Sequence, residues 1–374
     1  MNQPNRTKRL SRTMDNGNRD SYQSAYARAG VDIDAKTHAL ASLRARIRAT
    51  HGPNVLADVG HFGGIYAMPG AGASALVASI DGVGTKLKLA IALGTPAAHA
   101  GIGRDIVHHC VNDILCCGAR PIFFLDYLAV GASDPAMIAA VVGGVADACR
   151  AHEMALLGGE TAELPGIYAM GDYDLAGCII GTVERGKILD GHAVRDGDLL
   201  VGLPSAGLHT NGYSLVRRAF GLDGLPAEVR ARLAIIPPGC AAPLSELLLA
   251  EHRSYAAVLL PAIETDCLHA LAHITGGGLI DNVPRVLPTH LAARFDASRW
   301  EVPPLFTAIQ DAAQVDDMEM YRVFNMGIGM VAVISPDQID DVMAFLPEAI
   351  VVGAVVPRGD GDAVSMTGVN NRAP

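Results

Sequence analysis

The chain is predicted to be an α/β (α+β) protein built from two mixed sheet-and-helix domains. Three observations predict this. Apolar runs of strand length alternate with helix-period runs in both halves. Glycine-bearing turns separate them, 41 of the 374 residues being Gly. The polar stretch 184–198, with Gly186, Gly191 and Gly197, divides the chain near its middle. The expected divisions are a disordered basic tail over residues 1–20, an N-terminal domain over 21–185, a C-terminal domain over 186–360 and a flexible tail over 361–374.

Taken in order, residues 75–80 form an apolar run that reads as a buried strand. Residues 101–117 read as a helix, because Ile106, Cys110, Ile114 and Cys117 recur near a 3.6 period. Strand 121–130 and a small-residue helix over 135–152 follow, then strands 154–158 and 175–183. The second half begins with strand 199–203, loop 204–212 and an amphipathic helix from Tyr213. Residues 244–262 and 263–272 read as helical, and 273–278 as a glycine loop opening another helix. Residues 327–334 and 350–356 read as strands.

Composition narrows the function. Half the residues are apolar and the net charge is −10, which argues against a nucleic-acid or anionic-membrane partner. The longest uncharged stretch, 62–80, is interrupted by Gly63, Gly64, Pro69, Gly70 and Gly72, so it does not read as a membrane span. The seven cysteines lack any C-x-x-C pairing and read as reduced core thiols of a cytoplasmic protein. Residues 1–20 carry five basic groups without an apolar core, unlike a secretory signal.

The most informative segment is 78–89, where a strand meets Asp81, turns through Gly82 and Gly84, and restarts with Thr85 and Lys86. A carboxylate, bare backbone N–H groups and a cation within reach of one point suit a Mg²⁺-bound polyphosphate. The spacing is not that of a Walker A loop. Asp81, Asp113, Asp126 and Glu160 all sit in apolar surroundings, where a carboxylate is costly unless paired or metal-bound. Such oxygen donors suit Mg²⁺, although each alone also reads as a cap or ion-pair partner. Asp105, His109 and Asp113 recur at i, i+4 and i+8, either as a polar stripe toward a cleft or as a solvated face. His209 lies in a polar strand-to-helix loop, a setting for acid/base work. Thr275, Gly276 and Gly277 form a second anion-binding candidate, with a simple tight turn as the plainer reading.

Longer motifs carry a resemblance. They include Ala29-Gly30-Val31-Asp32, Asp81-Gly82-Val83-Gly84-Thr85-Lys86, Cys110-Val111-Asn112-Asp113, and Phe123-Phe124-Leu125-Asp126-Tyr127. Gly158-Gly159-Glu160-Thr161-Ala162-Glu163, His209-Thr210-Asn211-Gly212-Tyr213 and His273-Ile274-Thr275-Gly276-Gly277-Gly278 continue the series. In this order they resemble the phosphoribosylformylglycinamidine cyclo-ligase family of aminoimidazole ribonucleotide synthetases. The resemblance implies a homodimer whose N-terminal strands build a shared β-barrel, with ATP bound near the interdomain cleft. It implies ATP-driven activation of the formyl amide oxygen of formylglycinamidine ribonucleotide, then ring closure with release of ADP and phosphate.

On that basis Asp81, Asp113, Asp126 and Glu160 are candidate Mg²⁺ ligands, and Lys86 a phosphate partner. Gly82, Gly84, Thr85, Asn112, Thr275, Gly276 and Gly277 are candidate nucleotide or phosphate contacts. His209 is the candidate acid/base, with Asp81 and Lys86 beside it in the catalytic set. The chain departs from the family pattern at Ala27-Arg28, where a lysine is usual, and at His108-His109. The alternative reading is a paralogous ATP-dependent enzyme that activates a different small amide. A catalytically dead binding subunit is disfavoured by the intact Asp81, Asn112-Asp113, Glu160 and His209.

Overall fold

The computed structural model describes residues 24–58, 60–70 and 72–369. The expected tail over 1–20 lies outside them. Among the described residues there are eleven strands: β1 (Gly64–Ala67), β2 (Ser74–Gly82), β3 (Arg120–Val130), β4 (Ala155–Glu163), β5 (Tyr173–Glu184), β6 (Leu199–Pro204), β7 (Leu268–His273), β8 (Leu291–Asp296), β9 (Ile328–Ile334), β10 (Ile350–Pro357) and β11 (Val364–Thr367). The helices of the first half are α1 (Ala25–Arg28), α2 (Ile33–Arg48), α3 (Leu87–Leu93), α4 (Pro96–Leu115) and α5 (Pro135–Ala151). Those of the second half are α6 (Tyr213–Ala219), α7 (Pro226–Leu233), α8 (Leu244–Leu248), α9 (Ala256–Glu264), α10 (Gly278–Asn282), α11 (Pro304–Ala313), α12 (Asp317–Val323) and α13 (Ile339–Met343).

Two mixed sheets result. The first runs β1-β2-β5-β3-β4 and the second β11-β8-β10-β6-β9-β7. Strands β3 and β4 pair in parallel because α5 carries the chain across between them. The helix α4 starts cleanly: Thr95 caps it by accepting from Ala98 N, and Pro96 occupies its first position. It packs against α5 with almost no space between backbones. A Cβ on Gly103 would come 2.1 Å from the Val141 carbonyl oxygen, and one on Gly144 would come 2.0 Å from that of Ala100. Only glycine permits that approach.

Both helices cover one face of the first sheet. Alternation along β2 sends Ser79 and Asp81 toward α4, and Ile80 to the opposite, exposed face. The core of the second half centres on β9, in which every residue is buried.

Three expectations need correction. The expected helix over 263–272 is not formed beyond its first two residues: α9 ends at Glu264, Asp266 turns with φ 58°, and β7 follows. The run Leu268-His269-Ala270-Leu271-Ala272 has helical local preference, yet pairing with β9 overrides it. The helix expected over 244–262 is split into α8 and α9 by an irregular segment at 249–255. Residues 361–374 were expected as a flexible tail, but 364–367 form β11, parallel to β8.

Candidate active site

The end of β2 and the turn after it lie next to the second half of the chain. Gly84 takes φ 72°, and Thr85 Oγ1 lies 3.2 Å from Ser214 Oγ in the second half. Asp81, Gly82, Gly84 and Thr85 are all exposed. Beside it lies the polar stripe of α4, where Asp105, His109 and Asp113 are 1%, 3% and 6% exposed. The stripe therefore faces the other half of the chain and not solvent.

The carboxylates of Asp81 and Asp113 flank His109. Its Nε2 lies 2.9 Å from Asp81 Oδ2 and 3.9 Å from Asp113 Oδ2. Ser79 Oγ donates to Asp113 Oδ2 at 3.0 Å, and His273 Nδ1 meets Asp113 Oδ1 at 2.8 Å. Burial opposes a charge on His109. The carboxylates of Asp81, Asp113 and Asp105 outweigh that penalty and hold the imidazolium up to about 9. Desolvation of Asp81 works the other way from His109, which prevails and brings the carboxyl down to about 2.

These shifts make a prediction for the metal-free protein. His109 titrates above the ordinary 6.5, so its stabilisation is complete below about pH 6.5 and is lost as pH rises through about 9. Asp81 titrates below the ordinary 3.8, so its part is present above that pH and is lost as pH falls through about 2. Urea midpoints measured in chelator should show wild type losing its advantage over His109→Met between pH 6.5 and 9. A constant difference across that range would contradict the ion pair.

The structure does not assemble all the expected residues. Asp126 lies in β3 under the helix layer, in one cross-strand row with Asp81 through Gly177 of β5. Burial raises its carboxyl above the usual range. Glu160 is not in a turn: it lies within β4, opposite Tyr127, and so points from the other face of the sheet. It is therefore separated from Asp81, Asp113 and Asp126 within this chain.

Lys86 is fully buried and does not line the cleft. Its ammonium sits 2.6 Å from Asp105 Oδ2 and donates to the Ala250 carbonyl at 2.7 Å. Asn112 is equally buried. It donates to the Arg253 carbonyl at 2.8 Å and accepts from Tyr255 N at 3.0 Å, stapling α4 to the 252–255 segment. Both side chains contact the second half of the chain.

His209 lies on the inner side of its loop. It has φ 61°, is 2% exposed and stacks on His252 with ring centroids 4.0 Å apart. Burial, followed by the positive neighbours, depresses its basicity well below that of an ordinary imidazole. Its Nε2 accepts from Ala206 N at 3.3 Å, so the neutral ring carries its proton on Nδ1, a buried atom without a hydrogen-bond partner among the described residues.

The Thr275–Gly277 turn is tied from within, since Asn282 Nδ2 donates to the carbonyls of Thr275, Gly276 and Gly278. Gly276 packs beside Asn211, whose buried Nδ2 has no partner among the described residues. The two loops thus meet. Sequence reasoning assigned no role to Thr210 or His252. Thr210 Oγ1 lies 2.8 Å from His109 Nδ1, and His252 N donates to Asp105 at 2.7 Å. No local pattern marks His252, because its contacts with α4, to Asn112 and Asp105, span 140 and 147 residues of sequence.

The chain is thus a two-sheet α/β protein whose buried acids and histidines gather where its halves meet. The models "AIR synthase related protein, N-terminal domain" and "AIR synthase related protein, C-terminal domain" match residues 63–183 and 195–365. A phosphoribosylformylglycinamidine cyclo-ligase of Bifidobacterium animalis subsp. lactis (strain AD011) is 45% identical over 328 residues, 87% of this chain and 93% of that protein. One from Desulfitobacterium hafniense (strain DSM 10664 / DCB-2) is 44% identical over 346 residues, 90% of this chain and 98% of that protein. The chain belongs to the phosphoribosylformylglycinamidine cyclo-ligase family. The fold is shared more widely. Thiamine-monophosphate kinase from Stenotrophomonas maltophilia K279a superposes with a TM-score of 0.58 at 18% identity, over 87% of this chain and 95% of that one. AaThiL complexed with AMPPCP and TMP gives 0.58 at 13% identity, over 89% and 94%.

Proposed function

We propose that this chain closes formylglycinamidine ribonucleotide to aminoimidazole ribonucleotide with ATP, releasing ADP and phosphate, as a step of purine biosynthesis. The observation that carries the reading is near-full-length identity to cyclo-ligases combined with Asp81 and Asp113 converging beside the exposed 81–85 turn. The two carboxylates offer oxygen donors that fit Mg²⁺, with Asp126 behind them in the same row. Bound there, Mg²⁺ would supply positive charge opposite the polyphosphate.

The chain's own residues do the rest. Gly84 lets the backbone turn tightly next to the phosphates, and Thr85 offers a hydroxyl at the mouth of the cleft. Proton transfer during ring closure falls to His209 at Nδ1. The ring is oriented by Ala206 and His252, and substrate reaches it only when the 205–212 loop opens.

Two features of the surroundings extend the reading. The helix-free face of the first sheet exposes Ile80 and Tyr127, at 73% and 42%. A second copy covering that face would form the shared barrel and bring its own Glu160 into a new setting. A sedimentation measurement that finds only monomer at micromolar concentration would remove this part. Among the described residues no helix is long and apolar enough to cross a membrane, which agrees with action in the cytoplasm.

The function is tested in a purine auxotroph lacking its cyclo-ligase, together with an ADP-release assay on formylglycinamidine ribonucleotide. Growth without purine and substrate-dependent ADP release are expected. Soluble protein that supports neither would overturn the proposal in favour of the paralogue.

A further inference from the structure

Three histidines from distant parts of the chain meet inside the interface between the halves. His109 comes from α4, His252 from the segment between α8 and α9, and His273 from the end of β7; they are 3%, 1% and 0% exposed. Their ring centroids form a nearly equilateral triangle of 5.2, 5.0 and 5.2 Å. One ring nitrogen of each lies within 4.8 Å of one nitrogen of each of the others.

Hydrogen-bond accounting shows what this triangle lacks. Asn112 is oriented by accepting from Tyr255 N and donating to the Arg253 carbonyl, so the group it presents to His252 Nε2 at 3.2 Å is an N–H donor. His252 Nε2 therefore carries a lone pair, which accepts from Asn112 in the metal-free protein. The carboxylate of Asp113 takes the Nδ1 hydrogen of His273 at 2.8 Å, which leaves a lone pair on His273 Nε2. These two Nε2 atoms face one another at 3.1 Å. Two lone pairs at that separation repel unless a cation sits between them. A tetrahedral metal with Zn–N bonds of roughly 2.0–2.1 Å holds its nitrogens about 3.3–3.4 Å apart, close to the spacing already present. The Asp113–His273 contact is also the carboxylate–histidine arrangement that fixes a ligand's tautomer.

We propose that His109, His252 and His273 form a binding site for a nitrogen-preferring divalent cation, Zn²⁺, which clasps α4 to the second half of the chain. The site is distinct in chemistry from the oxygen-donor site offered by Asp81 and Asp113, because imidazole favours Zn²⁺ over Mg²⁺. In the metal-free protein His109 Nε2 meets Asp81 at 2.9 Å and Nδ1 meets Thr210 at 2.8 Å, so the ring would exchange one of these contacts for the metal.

The experiment uses the full chain, stripped by chelator and then titrated with Zn²⁺ alone. One Zn²⁺ per chain is expected by elemental analysis, with a rise in Tm on binding. Substituting Co²⁺ should give the intense visible absorption of a four-coordinate ion. His252→Ala should weaken Zn²⁺ binding by about 100-fold or more and abolish the Tm shift. Should that variant fail to fold, His109→Met, which keeps the bulk, serves the same comparison. No stoichiometric Zn²⁺ on wild type, a weak six-coordinate Co²⁺ spectrum, or equal affinity in a folded variant would each overturn the site. Turnover with Mg²⁺ and ATP is read separately on the stripped protein, so loss of this inference leaves the cyclo-ligase assignment standing.

Discussion

Replacing Lys86 with methionine is expected to lower the unfolding free energy by about 3–5 kcal/mol, the range for breaking a buried ion pair from one side. Lys86 and Asp105 have side chains 0% and 1% exposed and lie 2.6 Å apart. Asp105 also accepts from His252 N at 2.7 Å, and Lys86 donates to the Ala250 carbonyl. Without the ammonium, a carboxylate remains in a site where burial alone already pushes its pKa upward. The change would loosen the 250–252 segment against α4, hence the histidine triangle as well. Urea denaturation measures the loss. The double variant Lys86→Met/Asp105→Leu should recover most of it, because removing both charges also removes the desolvation penalty. An unchanged urea midpoint with a raised KM for ATP would instead make Lys86 a phosphate ligand, as its position in the sequence suggested.

Changing Asp81 to asparagine is expected to reduce the kcat of ADP release by about 10²–10³-fold, the scale on which a single preorganised electrostatic contact acts. The side chain is 48% exposed, so stability should fall far less than activity. Asparagine keeps the size and one acceptor but removes the charge that would bind Mg²⁺ and that holds His109 as an imidazolium. Turnover should therefore fall and the Mg²⁺ concentration needed for half-maximal rate should rise. Wild-type turnover in a folded Asp81→Asn protein would remove this residue from the metal site.

Much of the fold was legible because its signals are local. The apolar runs that became β2, β3, β5, β6, β9 and β10 carry strand character in their own residues, and the period of 106–117 marks α4. Asp81 and Asp113 stood out as acids among apolar neighbours, and the structure brings them to either side of His109. Strand β7 was hidden because Leu and Ala favour helix until β9 supplies a hydrogen-bonding edge. The face on which Glu160 lies was not legible, because it depends on pairing with Tyr127, and one residue of register reverses it.

The sequence by itself determined the class of fold, the family and the turn that follows Asp81. Tertiary structure alone decided which charges are used up internally. Lys86 and Asn112 look like ligand contacts in one dimension, yet α4 and the 250–255 segment enclose them, and His252 becomes significant only beside His109 and His273. The physical reason is that propensity and apolar period are properties of neighbours along the chain. Pairing, desolvation and metal-ligating geometry depend on groups that only folding brings within a few ångströms.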